Sequence, residues 1–301
     1  MRYKNLDLNL LVALDLLMAE RNVSRAAEKM HISQSAMSNA LSRLRDYFGD
    51  DLLVQSGRKM ELTPRAEVLR VPVRDILVRV DASIATAPEF DPGQTDRMFR
   101  VYVSDYTLAT LVPRLLRRIA GRGFGVRFDF RPQTDIPQRT LESGEADLLI
   151  IPEPFASPEH PTRFLYEEQF VCIADRNHPR IGDRLDRDTY CRERHVVMQP
   201  AMRTVSYETV LLAEKGIERS IDVTTYSFAS LAHLVAGTDR LATVHERLAI
   251  EGAAHLPIRI HPLPFALEPM RQVMQWHVHR SNDPAILWLR ETLCAVSVAA
   301  D

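Results

Sequence analysis

Residues 23–45 read Val-Ser-Arg-Ala-Ala-Glu-Lys-Met-His-Ile-Ser-Gln-Ser-Ala-Met-Ser-Asn-Ala-Leu-Ser-Arg-Leu-Arg, and this stretch decides the N-terminal fold. Its spacing predicts two short helices joined by a turn, with Ser24 capping the first and Ser33 the second through side-chain oxygens that accept free backbone N–H groups. Ala26, Ala27, Met30, Ile32, Ala36, Met37, Ala40, Leu41 and Leu44 form one inward face. Ala27 and Ala40 are small where two steeply crossing helices bring their backbones together. Gln34, Ser35, Ser38, Asn39, Ser42 and Arg43 face outward on the second helix. Such side chains bond bases and phosphates and offer no apolar partner surface, which is the layout of a DNA-reading helix-turn-helix. An ordinary amphipathic helical hairpin from a domain core has the same spacing.

The flanks favour the reader. Leu10, Leu11, Leu14, Leu17 and Met18 recur at helical spacing and supply a first helix beneath the pair. After Phe48 come Gly49-Asp50-Asp51, the strand-like Leu52-Leu53-Val54, the turn-prone Ser56-Gly57 with Arg58 and Lys59, and Met60-Glu61-Leu62. That is a hairpin with two cations at its tip, placed as the wing of a winged helix. Residues 21–65 hold eight Lys or Arg against five Asp or Glu, within a chain of net charge −2. The head is locally positive, though charge alone does not announce nucleic acid.

Thr63-Pro64 opens the next helix, with Pro64 in its first turn. Ala66, Leu69, Val73, Ile76 and Val80 alternate steps of three and four, the narrow seam expected of two paired subunits. Pro72 lies inside and is expected to bend this helix, the alternative being two short helices. A turn-rich hinge follows at Ala87-Pro88-Glu89-Phe90-Asp91-Pro92-Gly93.

Beyond it, strands and helices alternate. Strands are expected at 99–103, 126–130 and 147–151, with helices at 108–120 and 138–143. A second block repeats the pattern with strands at 170–174, 196–198 and 221–225 and helices at 206–215 and 228–236. A strand at 273–278 and a helix at 284–298 return to the first block. The fold class is α/β, in two lobes with a cleft between them, beyond the carboxyl ends of their strands, where ligands of open α/β sheets bind.

With 301 residues and 46% hydrophobic content the chain is long enough for two or three cores. Cys172, Cys191 and Cys294 have no metal-ligand spacing and suit a reducing compartment. Arg2 and Lys4 before the apolar run at 8–19 mimic a signal peptide, but Asp7 and Asp15 interrupt the run and no cleavage site follows. No apolar run reaches about 18 residues. The reading is a cytoplasmic protein with no membrane partner.

Enzyme chemistry finds little support. His277 and His279 share a strand face but have no third metal ligand at a readable spacing. Cys191 and His195 sit four apart with no orienting residue. Gly121, Gly123 and Gly125 follow a helix where a dinucleotide turn would precede one. No cofactor, no metal and no catalytic residue is expected. An exported solute-binding protein would need an export signal and no reader domain.

In this order the pieces resemble the LysR-type transcriptional regulators over essentially the whole chain. The match is carried by Leu6-Asp7-Leu8-Asn9-Leu10-Leu11, Ala26-Ala27, His31-Ile32-Ser33-Gln34-Ser35-Ala36, Leu44-Arg45 and Leu62-Thr63-Pro64. Leu141-Glu142-Ser143-Gly144-Glu145-Ala146-Asp147-Leu148 is similar to the family's motif before a central effector-domain strand. The opening and Tyr47-Phe48-Gly49-Asp50-Asp51-Leu52 look most like the branch of nodulation-gene and aromatic-catabolism regulators. Ser35 departs from the Pro the family often has there.

The resemblance implies a winged helix-turn-helix at 1–63, a dimerising linker helix at 64–87, a hinge at 88–96 and an effector domain at 97–301 resembling periplasmic binding proteins. Its lobe I is expected at about 97–161 and 265–301, and lobe II at about 162–264. It further implies a tetramer, built as a dimer of dimers, on an interrupted palindrome of double-stranded DNA, with RNA polymerase as a partner. Ser24, Ser33, Gln34, Ser35, Ser38, Asn39 and Arg43 are the implied DNA contacts, with Arg58 and Lys59 on phosphates. The implied inducer pocket takes Ser104, Tyr106, Thr107, Thr134, Arg203, Thr204, Tyr226 and Phe228. Hydroxyls and helix N-termini there suit an anionic or phenolic group, and Tyr106 and Phe228 a ring, so a small aromatic inducer is expected.

Overall fold

The computed structural model describes residues 6–57, 59–84, 89–134, 136–200 and 205–297. The chain divides into two compact units, Met1–Ala87 with Glu142–Glu145, and Pro88–Leu141 with Ala146–Asp301.

The first unit opens with α1 (Leu8–Glu20), capped by Asp7, whose carboxylate accepts from the Leu10 amide at 2.9 Å. Helix α2 (Val23–Lys29) is capped by Asn22 and not by Ser24, which sits half-buried in the first turn. Asn and Ser cap equally well, so the sequence alone does not separate Asn22 from Ser24. Helix α3 (Gln34–Phe48) is capped by Ser33 through the Ala36 amide. Between α2 and α3 the chain turns through His31 at φ 56°, a left-handed conformation that a glycine would adopt without strain. Leu10, Leu14, Leu17, Ala26, Ala27, Met37, Leu41 and Leu44 make the core of this unit. Ala36 was expected inward and is exposed, because it lies on the first turn of α3, beyond that core.

The wing consists of β1 (Leu53–Ser56) and β2 (Lys59–Leu62), antiparallel with Ser56 opposite Lys59. Gly57 at φ 62° enters the tip, where a two-residue turn demands positive φ. Asp50 organises the wing base: it accepts from the Leu52 amide at 2.7 Å and the Thr63 hydroxyl at 2.6 Å. These bonds hold its carboxyl below the usual range, the Thr63 bond contributing most. Thr63 in turn accepts from the Ala66 amide and starts α4 (Pro64–Ile84), which runs through Pro72 as one helix. The expected seam divides here. Ala66 and Val73 are buried in the unit's own core with Leu69 against it, whereas Val68, Val71 and Ile76 are exposed on α4. At Ala66, Leu69 and Val73 the 3–4 spacing reflects packing inside one chain, while Ile76 of the same seam is exposed.

The second unit holds two five-stranded sheets. In chain order its elements are β3 (Met98–Val103), α5 (Asp105–Thr110), α6 (Val112–Ile119), β4 (Arg127–Pro132), α7 (Pro137–Glu142), β5 (Leu148–Pro152), β6 (Thr162–Glu168), β7 (Phe170–Asp175), α8 (Arg187–Arg192), β8 (Arg194–Met198), α9 (Tyr207–Glu214), β9 (Ser220–Thr225), α10 (Leu231–Val235), β10 (Arg240–His245), α11 (Glu246–Ala253), β11 (Ile258–Pro262), β12 (Met270–Gln275) and α12 (Pro284–Ser297). The first sheet has the order β4-β3-β5-β12-β6 and the second β11-β7-β10-β8-β9. In each, four strands run one way and a single strand, β12 in the first sheet and β7 in the second, runs antiparallel to both its neighbours.

Two expectations change. The single helix at 108–120 starts three residues earlier and is interrupted at Leu111, since Pro113 has no N–H for the Ala109 carbonyl. Residues 162–168 were assigned to lobe II, but β6 pairs with β12 in the lobe I sheet. Lobe I thus extends to Glu168, and the chain crosses to the second sheet at Gln169 and returns between β11 and β12. Among the described residues no helix is long and apolar enough to cross a membrane.

Candidate functional site

On the first unit, Gln34, Ser35, Ser38, Asn39 and Arg43 lie exposed on α3, and Ser33 is exposed at its start. Ser33 and Ser35 share a hydrogen bond of 3.0 Å. Arg43 reaches the Asp7 carboxylate at 3.5 Å, an exposed pair too weak to hold the guanidinium against a phosphate or a guanine. Lys59 is exposed at the wing tip; Arg58 lies outside the described residues. Arg45, on the same helix, belongs to the Leu44-Arg45 motif, to which the sequence assigns no role. Its guanidinium donates to the Asp51 and Leu53 carbonyls, both at 2.8 Å, and fastens the wing to α3.

In the second unit a cavity of about 760 Å³ lies between the two lobes. Tyr106, Phe170, His245, Met270 and Gln272 form its floor, and Ser104, Thr134, Phe155, Tyr207, Tyr226 and Phe228 are among its walls. Ser104 caps α5 and also bonds the Thr107 hydroxyl. Phe155 of lobe I meets Tyr207 of lobe II edge to face at 5.7 Å. Asp105 of lobe I accepts from the Ala229 amide of lobe II at 3.0 Å. Tyr226 is 80% exposed at the mouth, while Phe228 is half-buried with its ring edge-on to His245 at 4.8 Å. Arg203 and Thr204 lie outside the described residues, between Pro200 and Val205, which both line the cavity.

Thr107 departs from its expected place on the wall. It is fully buried and accepts from the Gln272 side-chain amide at 3.3 Å, beneath the cavity surface. Position three of a capped helix turns it inward, whereas Ser104, the cap, stays at the rim.

The floor is an electrostatic unit. Tyr106 donates its hydroxyl to Glu168, which also accepts from the Arg247 amide at 3.1 Å and pairs with the Arg247 guanidinium at 3.1 Å. Burial raises the Glu168 carboxyl above its usual range, against the pull of its donors. The ring of Tyr106 stacks on His245, with centroids 4.0 Å apart and planes at 19°. Burial alone pushes the His245 imidazole down to about 3, so it is neutral at physiological pH. Glu208 in the wall is neutralised by Arg219 at 2.9 Å. No described lining residue is a Lys or Arg.

His245, Gln272, Phe155 and Tyr207 were missed in the sequence. For His245 a signal existed: Leu241-Ala242-Thr243-Val244 is a short apolar run ending in a histidine before a helix, and ligand groups cluster at such carboxyl ends. The rejected enzyme candidates lie apart from the cavity. His195 is buried in β8 and bonds the Tyr190 carbonyl at 2.7 Å, and the His277 and His279 rings are 5.2 Å apart. No group of three His, Cys, Asp or Glu among the described residues is placed to hold a metal ion.

A winged reading head joined to a two-lobed ligand domain defines the class of ligand-responsive DNA-binding regulators. Residues 8–67 match the bacterial regulatory helix-turn-helix protein, lysR family, and residues 92–296 match the LysR substrate binding domain. The chain belongs to the LysR family of transcriptional regulators and is not an enzyme. It is 41% identical over 292 residues to nodulation protein D 1 of Sinorhizobium fredii, covering 97% of this chain and 91% of that relative. A probable transcriptional regulator from Pseudomonas aeruginosa is 30% identical with a TM-score of 0.68, covering 98% of this chain and 99% of that one. Full-length OxyR from Pseudomonas aeruginosa shares the fold at 21% identity with a TM-score of 0.76, covering 98% and 96%.

Proposed function

We propose that this LysR-type regulator controls promoter activity, as an activator, in response to a small aromatic inducer held between the lobes of its effector domain. The observation that carries this reading is the interlobe cavity of about 760 Å³ with Tyr106, Phe155, Phe170, Tyr207, Tyr226 and Phe228 around it. That is within the usual size of small-molecule pockets, and the rings present faces and edges to a planar ligand. Ser104, Tyr106, Thr134, Arg203, Thr204, Tyr226 and Phe228 contact the inducer, and Thr107 acts from below through Gln272.

In the reader, residues 1–63, Ser33, Gln34, Ser35, Ser38, Asn39 and Arg43 face the major groove, while Ser24, Arg58 and Lys59 hold phosphates. The linker helix at 64–87 pairs two subunits through Val68, Val71 and Ile76, and two dimers form a tetramer on an interrupted palindrome. The protein works in the cytoplasm with RNA polymerase as its partner. Residues 88–96 serve as the hinge to the effector domain. Inducer acts by binding one tetramer arrangement more tightly than the other, a bias of about 1–3 kcal/mol in typical cases.

The test is inducer response in a promoter reporter after substituting Tyr106, Thr134 and Phe228 by Ala in folded protein. Loss of response with DNA binding retained is the expected result; an unchanged response refutes the cavity as the inducer site.

A further inference from the structure

A second cavity, of about 310 Å³, lies on lobe I between the end of α6 and the second half of α12. Arg118, Arg122, Phe124, Trp288, Glu291 and Thr292 border it, whereas no described lining residue of the interlobe cavity is a Lys or Arg. The glycines that fit no dinucleotide turn build one wall. Gly121 and Gly123, both at φ 70°, turn the chain on either side of Arg122 in a conformation strained for other residues. Gly125 seats the loop against the Thr95 carbonyl, whose oxygen would lie 2.1 Å from any Cβ there. The loop so fixed carries Arg122 and Phe124 to the cavity's edge. Trp288 of α12 is the facing wall. Its ring stacks on the fully buried Phe99, with centroids 5.9 Å apart and planes at 22°, and Phe124 meets it edge-on at 5.7 Å. Rings braced in this way are ordered before a ligand arrives, which lowers the entropic cost of binding.

Arg118 and Arg122 are exposed, and among the described residues neither guanidinium makes an ion pair or a hydrogen bond. Glu291 is the one carboxylate in the lining and pairs with neither, so two arginines against one glutamate leave the cavity one positive charge in excess. From this arrangement we infer that the lobe I cavity is a second ligand site, independent of the interlobe one, for a planar aromatic ring that carries an anionic group. The ring lies against Trp288 and Phe124, and the anion accepts charge-assisted bonds from the two guanidiniums, whose planar forks suit a carboxylate. Apolar walls beside the cations reduce the screening by water that weakens such pairs on an open surface. Thr292 donates its hydroxyl to the Trp288 carbonyl at 2.8 Å, so the arginines are the donors left for the anion. The volume is at the lower end of small-molecule sites and suits a ligand of about two fused rings. A neutral ring forfeits the arginines, and a non-planar anion forfeits the stacking.

The test uses the full-length protein labelled with fluorotryptophan and read by fluorine NMR. Trp276 and Trp288 are the chain's two tryptophans; Trp288 lines this cavity, and neither lines the interlobe one. The Trp288 resonance therefore reports the lobe I cavity, with Trp276 as an internal control. The probes are 2-naphthoate, its neutral isostere 2-naphthamide, and cyclohexanecarboxylate, an anion without an aromatic plane. The expected result is a saturable shift of the Trp288 resonance by 2-naphthoate with a Kd below about 1 mM, and about tenfold weaker binding of each other probe. Arg118→Gln and Arg122→Gln, both at exposed positions that leave the fold intact, are each expected to remove most of the preference for naphthoate over naphthamide. No saturable shift up to about 1 mM overturns the inference. So does equal affinity of 2-naphthoate and either other probe, or a naphthoate preference that survives both substitutions. None of these outcomes bears on the interlobe cavity, whose own test is the reporter response.

Discussion

Acidification tests whether His245 is held neutral in the cavity floor. Its imidazole has a pKa of 6.5 in the unfolded chain and about 3 in the folded one. Between those values only the unfolded state takes up the proton, so stability is unaffected above the unfolded value and falls as the pH drops through 6.5 toward 3. At about pH 5 the unfolded chain has gained roughly 1.5 pH units of proton binding, or about 2 kcal/mol, that the folded chain has not. Urea unfolding read by the fluorescence of Trp276 and Trp288, the chain's two tryptophans and both in the second unit, reports this unit. His195, lowered to about 4 mainly by burial, titrates in the same direction but is present in both proteins compared. Wild type is expected to lose about 2 kcal/mol more than His245→Phe between about pH 7 and about pH 5. Equal losses, or an imidazole resonance titrating near 6.5 in the folded protein, would refute the reasoning.

Three further predictions concern the first unit. His31→Gly releases the left-handed backbone at φ 56° and should stabilise the reading head by about 1 kcal/mol, seen as slower amide exchange in α2 and α3. Arg45→Met removes two charge-assisted bonds to wing carbonyls and should cost about 1–2 kcal/mol of local stability; unchanged exchange in β1 and β2 would contradict the fastening role. Val71→Asp, at a position 56% exposed on α4, should weaken self-association in sedimentation without unfolding the head, whereas Ala66→Asp, fully buried, should unfold it.

The reading head was legible because short-range rules decide it. Ser33 capped as expected, the outward set on α3 is exposed, and the wing strands pair around Gly57. Part of the linker seam lies in the chain's own core, because burial inside one chain and pairing between two chains leave the same 3–4 repeat at Ala66, Leu69 and Val73, while Ile76 of the same seam is exposed. In the effector domain the parallel core strands showed as apolar runs. Strand β6 and strand β10 did not: Thr162–Glu168 alternates weakly and carries three charges, and Arg240–His245 is too short to separate from a buried helix segment. The cavity floor is assembled from Tyr106, Glu168, His245 and Gln272, far apart in sequence, so no local pattern joins them. Thr107 was misplaced for a related reason, since a hydroxyl beside a cap gives no sign in sequence of facing rim or core.

The central claim is that α3 reads DNA and that the effector domain governs the reading. The most direct measurement is gel-shift binding of purified protein to the intergenic DNA beside its own gene, at stated salt, comparing wild type with Arg43→Ala. Specific binding that the substitution weakens by about 1–3 kcal/mol, and that a cavity-binding aromatic alters, is the predicted result. Binding no stronger than to competitor DNA, with or without such a ligand, would contradict the account.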